Sequence, residues 1–190
     1  TNVDNYDGGP ITGAAASSFG TWYAFKWMGI YKMIRTGDNT RAYDVITISK
    51  RCGAIPGSMV RGVDENGASV IYYLDPLFGP SRIGPGGPQA IKGLRTTWGR
   101  VNLQAGSVVA RAVFYPYKQQ VHWWVSVDGA DRPNYKLVLQ VTETQPAEAG
   151  AVWRGWSVAT GRITEAACAA IFTEIVSING VSSLSERPFI

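Results

Sequence analysis

Apolar and aromatic residues occur along this chain in short runs, and glycine, proline, asparagine or aspartate separates most of the runs. In the clearest case, Val70–Leu74 is followed by Asp75-Pro76, and the chain then meets corners at Gly79-Pro80 and across residues 84–88. Short β-branched and aromatic runs between Gly/Pro corners are typical of β-strands joined by tight turns. The pattern predicts an antiparallel β scaffold.

Similar runs predict further strands along most of the chain. Apolar side chains at positions 135, 137, 139 and 141 alternate as in a strand with one buried face. Asn66-Gly67 predicts a hairpin turn, because this pair takes positive φ readily. The predicted extended segments are Thr21–Met28, Ile30–Arg35, Tyr43–Ser49, Ala90–Trp98, Val108–Tyr115, Val121–Val127, Tyr135–Thr142 and Ala151–Val158.

The two ends of the chain are less regular. Residues 1–20 are rich in Gly, Ala, Ser and Asn, which predicts an extended N-terminal arm before a β domain at 21–190. Alanines within 164–174 favour a helix, whereas the hairpin signal at Asn179-Gly180 favours a strand beginning near Ala169. A start at Thr1 without Met and an apolar end at Phe189-Ile190 lead us to expect part of a longer chain.

Aromatic anchors recur at Tyr31, Tyr72 and Trp123, at spacings of 41 and 51 residues. Blades of β-propellers repeat with periods of roughly 40 to 50 residues. Four predicted strands between 108 and 158 would make one blade, or one sheet of a sandwich. The fold predicted is therefore all-β, with antiparallel blades of a β-propeller, and a β-sandwich or an irregular barrel is the alternative.

Composition supports a turn-rich β protein, since 12% of the 190 residues are aromatic and 22 are glycine. The net charge of +4 comes from dispersed Lys and Arg, which indicates a soluble surface more than a nucleic-acid patch. Without a run of 18 apolar residues, no membrane-spanning helix is expected.

Motifs that carry chemistry are missing from the sequence. His122 is the only histidine and lies in a predicted strand, so we expect a sheet residue with a satisfied ring. Cys52 and Cys168 are either one long-range disulfide or, as we favour, two buried thiols. The acids weighed for glycoside hydrolysis fall mostly at turns: Asp44, Asp75, Asp128, Asp131, Glu143 and Glu148. The sequence predicts no catalytic residue, no metal and no cofactor.

Trp123 and Trp124 are adjacent in a predicted strand and are therefore expected to point to opposite faces of the sheet. Most tryptophans of this chain are expected to pack between neighbouring sheets. For these two the alternative is a subunit contact or a sugar-stacking platform.

A family resemblance rests on four stretches, namely Tyr72-Tyr73-Leu74-Asp75 leading to Gly84-Pro85-Gly86-Gly87, Gln120 to Val125, Asp128-Gly129, and Tyr135 to Val141. Together they resemble the β-propeller domains of short-tailed bacteriophage tail-tube proteins of the nozzle or hub class. The 190 residues hold about three blades, whereas a closed propeller needs more.

The resemblance implies a non-enzymatic virion protein of the viral tail, in which identical subunits form a ring around the channel for DNA ejection. Its partners would be copies of itself and neighbouring tail or adaptor proteins, and DNA would pass without sequence-specific contact. A second hypothesis is an extracellular carbohydrate-binding, lectin-like β domain that uses Trp123 and Trp124, and a third is a glycan-cleaving enzyme.

Overall fold

The computed structural model describes residues 9–17, 21–92, 94–103, 110–141, 153–157, 170–178 and 181–189, the last three ranges by their backbone. Regular structure in these residues is almost entirely antiparallel β. The exceptions are one helical turn, α1 (Arg95–Trp98), and a 3-10 turn at Pro116–Lys118. The all-β prediction is confirmed, and none of the sheets closes into a barrel.

Sheet A contains four strands in chain order: β1 (Ile11–Ala16), β2 (Trp22–Lys26), β3 (Gly29–Arg35) and β4 (Tyr43–Ser49). Within the predicted N-terminal arm of residues 1–20, Ile11–Ala16 form a strand that pairs antiparallel with β2. The run Gly13-Ala14-Ala15-Ala16 gives almost no hydrophobic signal, but its backbone groups find partners in the neighbouring strand. The β fold therefore begins inside the predicted arm.

Sheet B is a second four-stranded meander: β5 (Val60–Val63), β6 (Ser69–Asp75), β7 (Gly79–Gly84) and β8 (Gly87–Ala90). Its turns lie where the sequence predicts them, and Gly67 and Gly79 take positive φ of 79° and 78°. The prediction of an extended run through Ala90–Trp98 is wrong beyond Ala90. The amide of Trp98 instead donates to the Leu94 carbonyl at 2.7 Å, which closes the turn of α1.

Sheet C is the third meander: β9 (Arg111–Tyr115), β10 (Gln120–Val125), β11 (Tyr135–Gln140) and β12 (Trp153–Ser157). A separate hairpin follows, made of β13 (Ala170–Ile178) and β14 (Val181–Phe189), and it lies against β9. Ile178 pairs with Val181, as the Asn-Gly signal between them predicts. From Ala170 onward the strand prediction is correct, and residues 164–169 lie outside the described part of the chain.

Sheet B lies between the other two sheets, and its strand β6 is therefore buried on both faces. The side chains of β6 alternate, with Val70, Tyr72 and Leu74 in the cluster shared with sheet C and Ile71 and Tyr73 in the cluster shared with sheet A. On each face of β6, one tyrosine contacts an aromatic ring of the neighbouring sheet. Tyr72 contacts Trp123 edge-on with centroids 6.4 Å apart, and Tyr73 contacts Phe25 at 5.1 Å. The three sheets thus stack face to face around β6.

The segment 53–58, which connects sheet A to sheet B, hydrogen-bonds to all three sheets. Three of its bonds, each 2.9 Å long, run from Ala54 N to Lys26 O, from Ile55 N to Leu74 O, and from Trp123 Nε1 to Ser58 O. Ser58 is fully buried and also accepts the Leu74 amide on its hydroxyl at 3.1 Å. This segment fixes the spacing of the stack where the sheets meet.

Candidate functional site

Trp123 and Trp124 point to opposite faces of sheet C, as predicted. Trp123 is fully buried against Tyr72. Trp124 is 3% exposed, its ring lies 6.0 Å from the His122 ring, and the Lys136 ammonium lies 5.0 Å from its centroid. A sugar-stacking platform or a subunit contact needs an open ring face. Neither indole presents one in this fold, so both act as packing residues.

His122 is a buried sheet residue, as predicted, but within the described residues its ring is not fully satisfied. Its Nε2 lies 3.1 Å from Gln120 Oε1, and its ring meets Tyr115 edge-on at 6.2 Å. The buried Nδ1 has no hydrogen-bond partner in the part of the chain that the structure describes. Burial, aided by the charges of Lys136 and Lys118, lowers the pKa of His122 to about 4. The imidazole is therefore neutral at physiological pH.

Asp75 organises the turn that follows β6. Its carboxylate is fully buried and accepts the amides of Gly53 and Leu77 at 2.8 Å and of Phe78 at 2.9 Å. Burial raises the pKa of Asp75, while the three hydrogen bonds act in the opposite direction. The Gly53 bond joins this turn to the segment 53–58, so Asp75 has a structural role, as its place before Pro76 predicts.

The other candidate acids are spread over separate turns and strands. Asp44 pairs with Arg41 at 2.9 Å, and Asp128 pairs with Arg100 at 2.5 Å. Glu143 and Glu148 lie outside the described residues. In the ranges that the structure covers, no three His, Cys, Asp or Glu side chains are grouped so that they could hold a metal ion.

Cys52 is half-buried and is not in a disulfide. Cys168, its predicted partner in one of the two alternatives, lies outside the described residues.

An open apolar surface lies at the β4 side of sheet A. Ile34 is 39% exposed, Ile46 46% and Ile48 36%, and we call these three side chains the β4 surface. Ile46 pairs with Lys32, which pairs with Tyr23, so Ile46 is on the face of sheet A that is directed at sheet B. Among the described strands β4 pairs with β3 alone. Exposed β-branched edge strands are sites where another strand or sheet packs.

The sequence of β4 carries a signal for this surface beyond the prediction of an extended segment at Tyr43–Ser49. Val45 and Thr47 alternate with Ile46 and Ile48, so both faces of β4 are β-branched and largely apolar. Since no described sheet covers Ile46 and Ile48, an edge strand of this composition indicates a contact surface.

Comparison with family models gives no match for this chain, and a search of curated proteins gives none either. Within the described residues, no helix has both the length and the apolar character needed to cross a bilayer.

Proposed function

We propose that this chain is a non-enzymatic structural protein of a bacteriophage virion, part of the tail tube or nozzle, in which its stacked sheets are propeller blades. Copies of the chain form a ring around the channel through which DNA leaves. The stacking of three successive meanders, with their first strands side by side, is the observation on which the proposal chiefly rests.

The first strands β1, β5 and β9 of the three sheets contact one another in series. A glycine allows the approach of β5 and β9, because a Cβ at Gly62 of β5 would lie 2.8 Å from Phe114 of β9. Face-to-face meanders whose first strands gather along one side are the arrangement of neighbouring blades around a propeller axis. This arrangement supports the blade assignment over a simple two-sheet sandwich.

A closed propeller has about four to eight blades. The described residues supply three four-stranded sheets and one hairpin, so other sheets must complete a ring. The β4 surface is a suitable place for a second copy, since it is an apolar edge directly beside a stacked pair of sheets. Neighbouring tail or adaptor proteins would contact the ring elsewhere.

The charge distribution agrees with a channel that DNA passes without being read. The net charge is +4, and several of the cations are paired with acids, such as Arg82 with Glu65 and Arg100 with Asp128. Sequence readout needs side chains that reach base edges, and strong non-specific binding needs clustered cations. Virion localisation follows from the same proposal.

Mass measurement in solution and electron microscopy test the assembly. We expect the purified chain to form a ring-shaped oligomer as its concentration rises. The double variant Ile46→Asp/Ile48→Asp should dissociate it. Leu77→Asp is the control, because Leu77 is 58% exposed on the turn between β6 and β7 and is not part of the β4 surface. A monomer at all concentrations, or equal assembly by all three proteins, would contradict the proposal.

The carbohydrate-binding alternative gains no support from the positions of Trp123 and Trp124, because both are buried. A glycan array separates the two functions. Binding that is lost in Trp124→Ala while assembly is unchanged would favour the lectin-like function.

A further inference from the structure

A cleft with a volume of 490 Å³ opens between sheet A and the turns of sheet B. Tyr23 and Lys32 form its sheet A wall, together with Thr21 at the start of β2. Ser69 and Gly84 lie on the opposite side, next to the β5–β6 and β7–β8 turns. Clefts of roughly 300 to 1,000 Å³ are the usual size for small-ligand sites. The cleft adjoins the β4 surface, since Lys32 pairs with Ile46, and it reaches the core between sheets A and B at Tyr23.

Two hydrogen-bond donors stand side by side on the sheet A wall. Tyr23 and Lys32 are direct partners across β2 and β3, so their side chains project from the same face. Within the described part of the chain, neither the Tyr23 hydroxyl nor the Lys32 ammonium has a hydrogen-bond or ion-pair partner. Burial raises the pKa of Tyr23, so its hydroxyl stays protonated and able to donate. The wall therefore offers one charged and one neutral donor.

The opposite side of the cleft carries charges of both signs. The Arg61 guanidinium donates to Ser69 Oγ at 3.3 Å. On the nearest turn, Asp64 Oδ1 accepts the amides of Asn66 and Ala68 at 2.9 and 2.8 Å, and Glu65 pairs with Arg82 at 2.5 Å. Together with Lys32, the cations of this region outnumber the two acids by one, which favours an anion.

We propose that this cleft binds the oxyanion group of a small hydroxyl-bearing molecule of about monosaccharide size. Lys32 and Tyr23 hold the oxyanion through one charge-assisted and one neutral hydrogen bond. The Ser69 hydroxyl, positioned by Arg61, faces the hydroxyl-bearing part of the ligand. A carboxylate and a phosphate share this chemistry, and the assay distinguishes them. The site is independent of the proposed tail function.

Titration calorimetry at low salt tests the site with three probes: glucuronate, glucose 6-phosphate and neutral glucose. We expect saturable binding of at least one anion with a Kd below about 10 mM and no binding of glucose. The anion that binds with the lower Kd shows whether the site prefers a carboxylate or a phosphate. Failure of both anions to bind, or equal binding of glucose, would overturn the proposal.

Variants locate the binding. Lys32→Met should weaken anion binding about tenfold or more, whereas Lys32→Arg should retain most of it. Tyr23→Phe should cost about threefold to tenfold. Arg35→Met is the matched control, because it removes one positive charge from an exposed position on the opposite face of the same strand. Equal losses in Lys32→Met and Arg35→Met would assign the binding to net charge and reject the site. Should Lys32→Met fail to fold, Lys32→Gln and Tyr23→Phe carry the same test.

Discussion

The indole Nε1 of Trp123 donates a hydrogen bond of 2.9 Å to the main-chain carbonyl of Ser58. The two residues are far apart in sequence, one in sheet C and the other in the segment that joins sheet A to sheet B. Both are fully buried. This bond fixes a fully buried indole of the core to the segment 53–58, and it makes the stack depend on an indole at position 123.

Replacing this indole should therefore cost more than replacing its neighbour. Trp123→Phe removes the hydrogen bond and leaves the buried Ser58 carbonyl without its indole donor. Trp124→Phe is a close control, because Trp124 is equally buried but its Nε1 has no hydrogen-bond partner among the described residues. We expect Trp123→Phe to lower the free energy of unfolding by about 1 to 2 kcal/mol more than Trp124→Phe. Urea unfolding measures both, and equal losses would show that the bond contributes little.

The buried carboxylate of Asp75 gives a second prediction. Its two oxygens accept three amides, and Asp75→Asn would place an NH₂ group against at least one of those donors. We expect a loss of about 1 to 3 kcal/mol in the free energy of unfolding. Asp64→Asn is the control, since one oxygen of Asp64 accepts both of its amides and an Asn oxygen can do the same. A loss in Asp64→Asn as large as in Asp75→Asn would contradict this account.

The sequence predicts those strands in which apolar side chains alternate or turn residues mark the ends. Alternation in β11 correctly assigns Leu137 and Leu139 to the buried face, and Asn66-Gly67 correctly places a turn. Strand β1 was missed because its Gly and Ala side chains show no pattern, although its backbone pairs with β2. The repeat of aromatic anchors was also misaligned, since Tyr31 lies on the third strand of its sheet while Tyr72 and Trp123 lie on second strands.

Surfaces formed between sheets could not be predicted in this way. Exposure of Ile46 depends on how far sheet B extends beneath β4, and that length is not encoded in β4 itself. The cleft beside Lys32 depends on turns of sheet B that approach sheet A from a distant part of the chain. Burial of Trp124 likewise depends on what covers the second face of sheet C. Local sequence patterns therefore predict the strands, whereas surfaces and clefts between sheets depend on how the sheets stack.

Acid should destabilise this protein through His122. The pKa of His122 is about 4 in the folded protein and about 6.5 in an unfolded chain. Below pH 6.5 the unfolded state takes up a proton that the folded state does not, so stability that is fully present above pH 6.5 falls until about pH 4. We expect a loss of about 2 to 3 kcal/mol from this group across that range.

Urea unfolding at several pH values isolates this contribution when the wild type is compared with His122→Gln. The variant keeps a polar side chain but cannot be protonated, so its free energy of unfolding should fall less steeply between pH 6.5 and pH 4. Carboxylates titrate in both proteins and cancel in the comparison. Parallel curves for the two proteins would show that His122 is as easily protonated in the fold as in the unfolded chain.

The close approach of β5 and β9 depends on Gly62. A Cβ at this position would lie 2.8 Å from Phe114 Cδ2 and 3.1 Å from Tyr72 Cε2, which is closer than such atoms normally come. Gly62→Ala should therefore lower the free energy of unfolding by about 1 to 3 kcal/mol. Gly86→Ala is the control, because its Cβ would meet only Gln89 at 3.6 Å and should change stability by less than about 0.5 kcal/mol. Phe114→Leu, combined with Gly62→Ala, should recover about 1 kcal/mol relative to the sum of the single changes. Strict additivity would mean that β5 and β9 do not press on each other at this point, and the support that Gly62 lends to the blade arrangement would be lost.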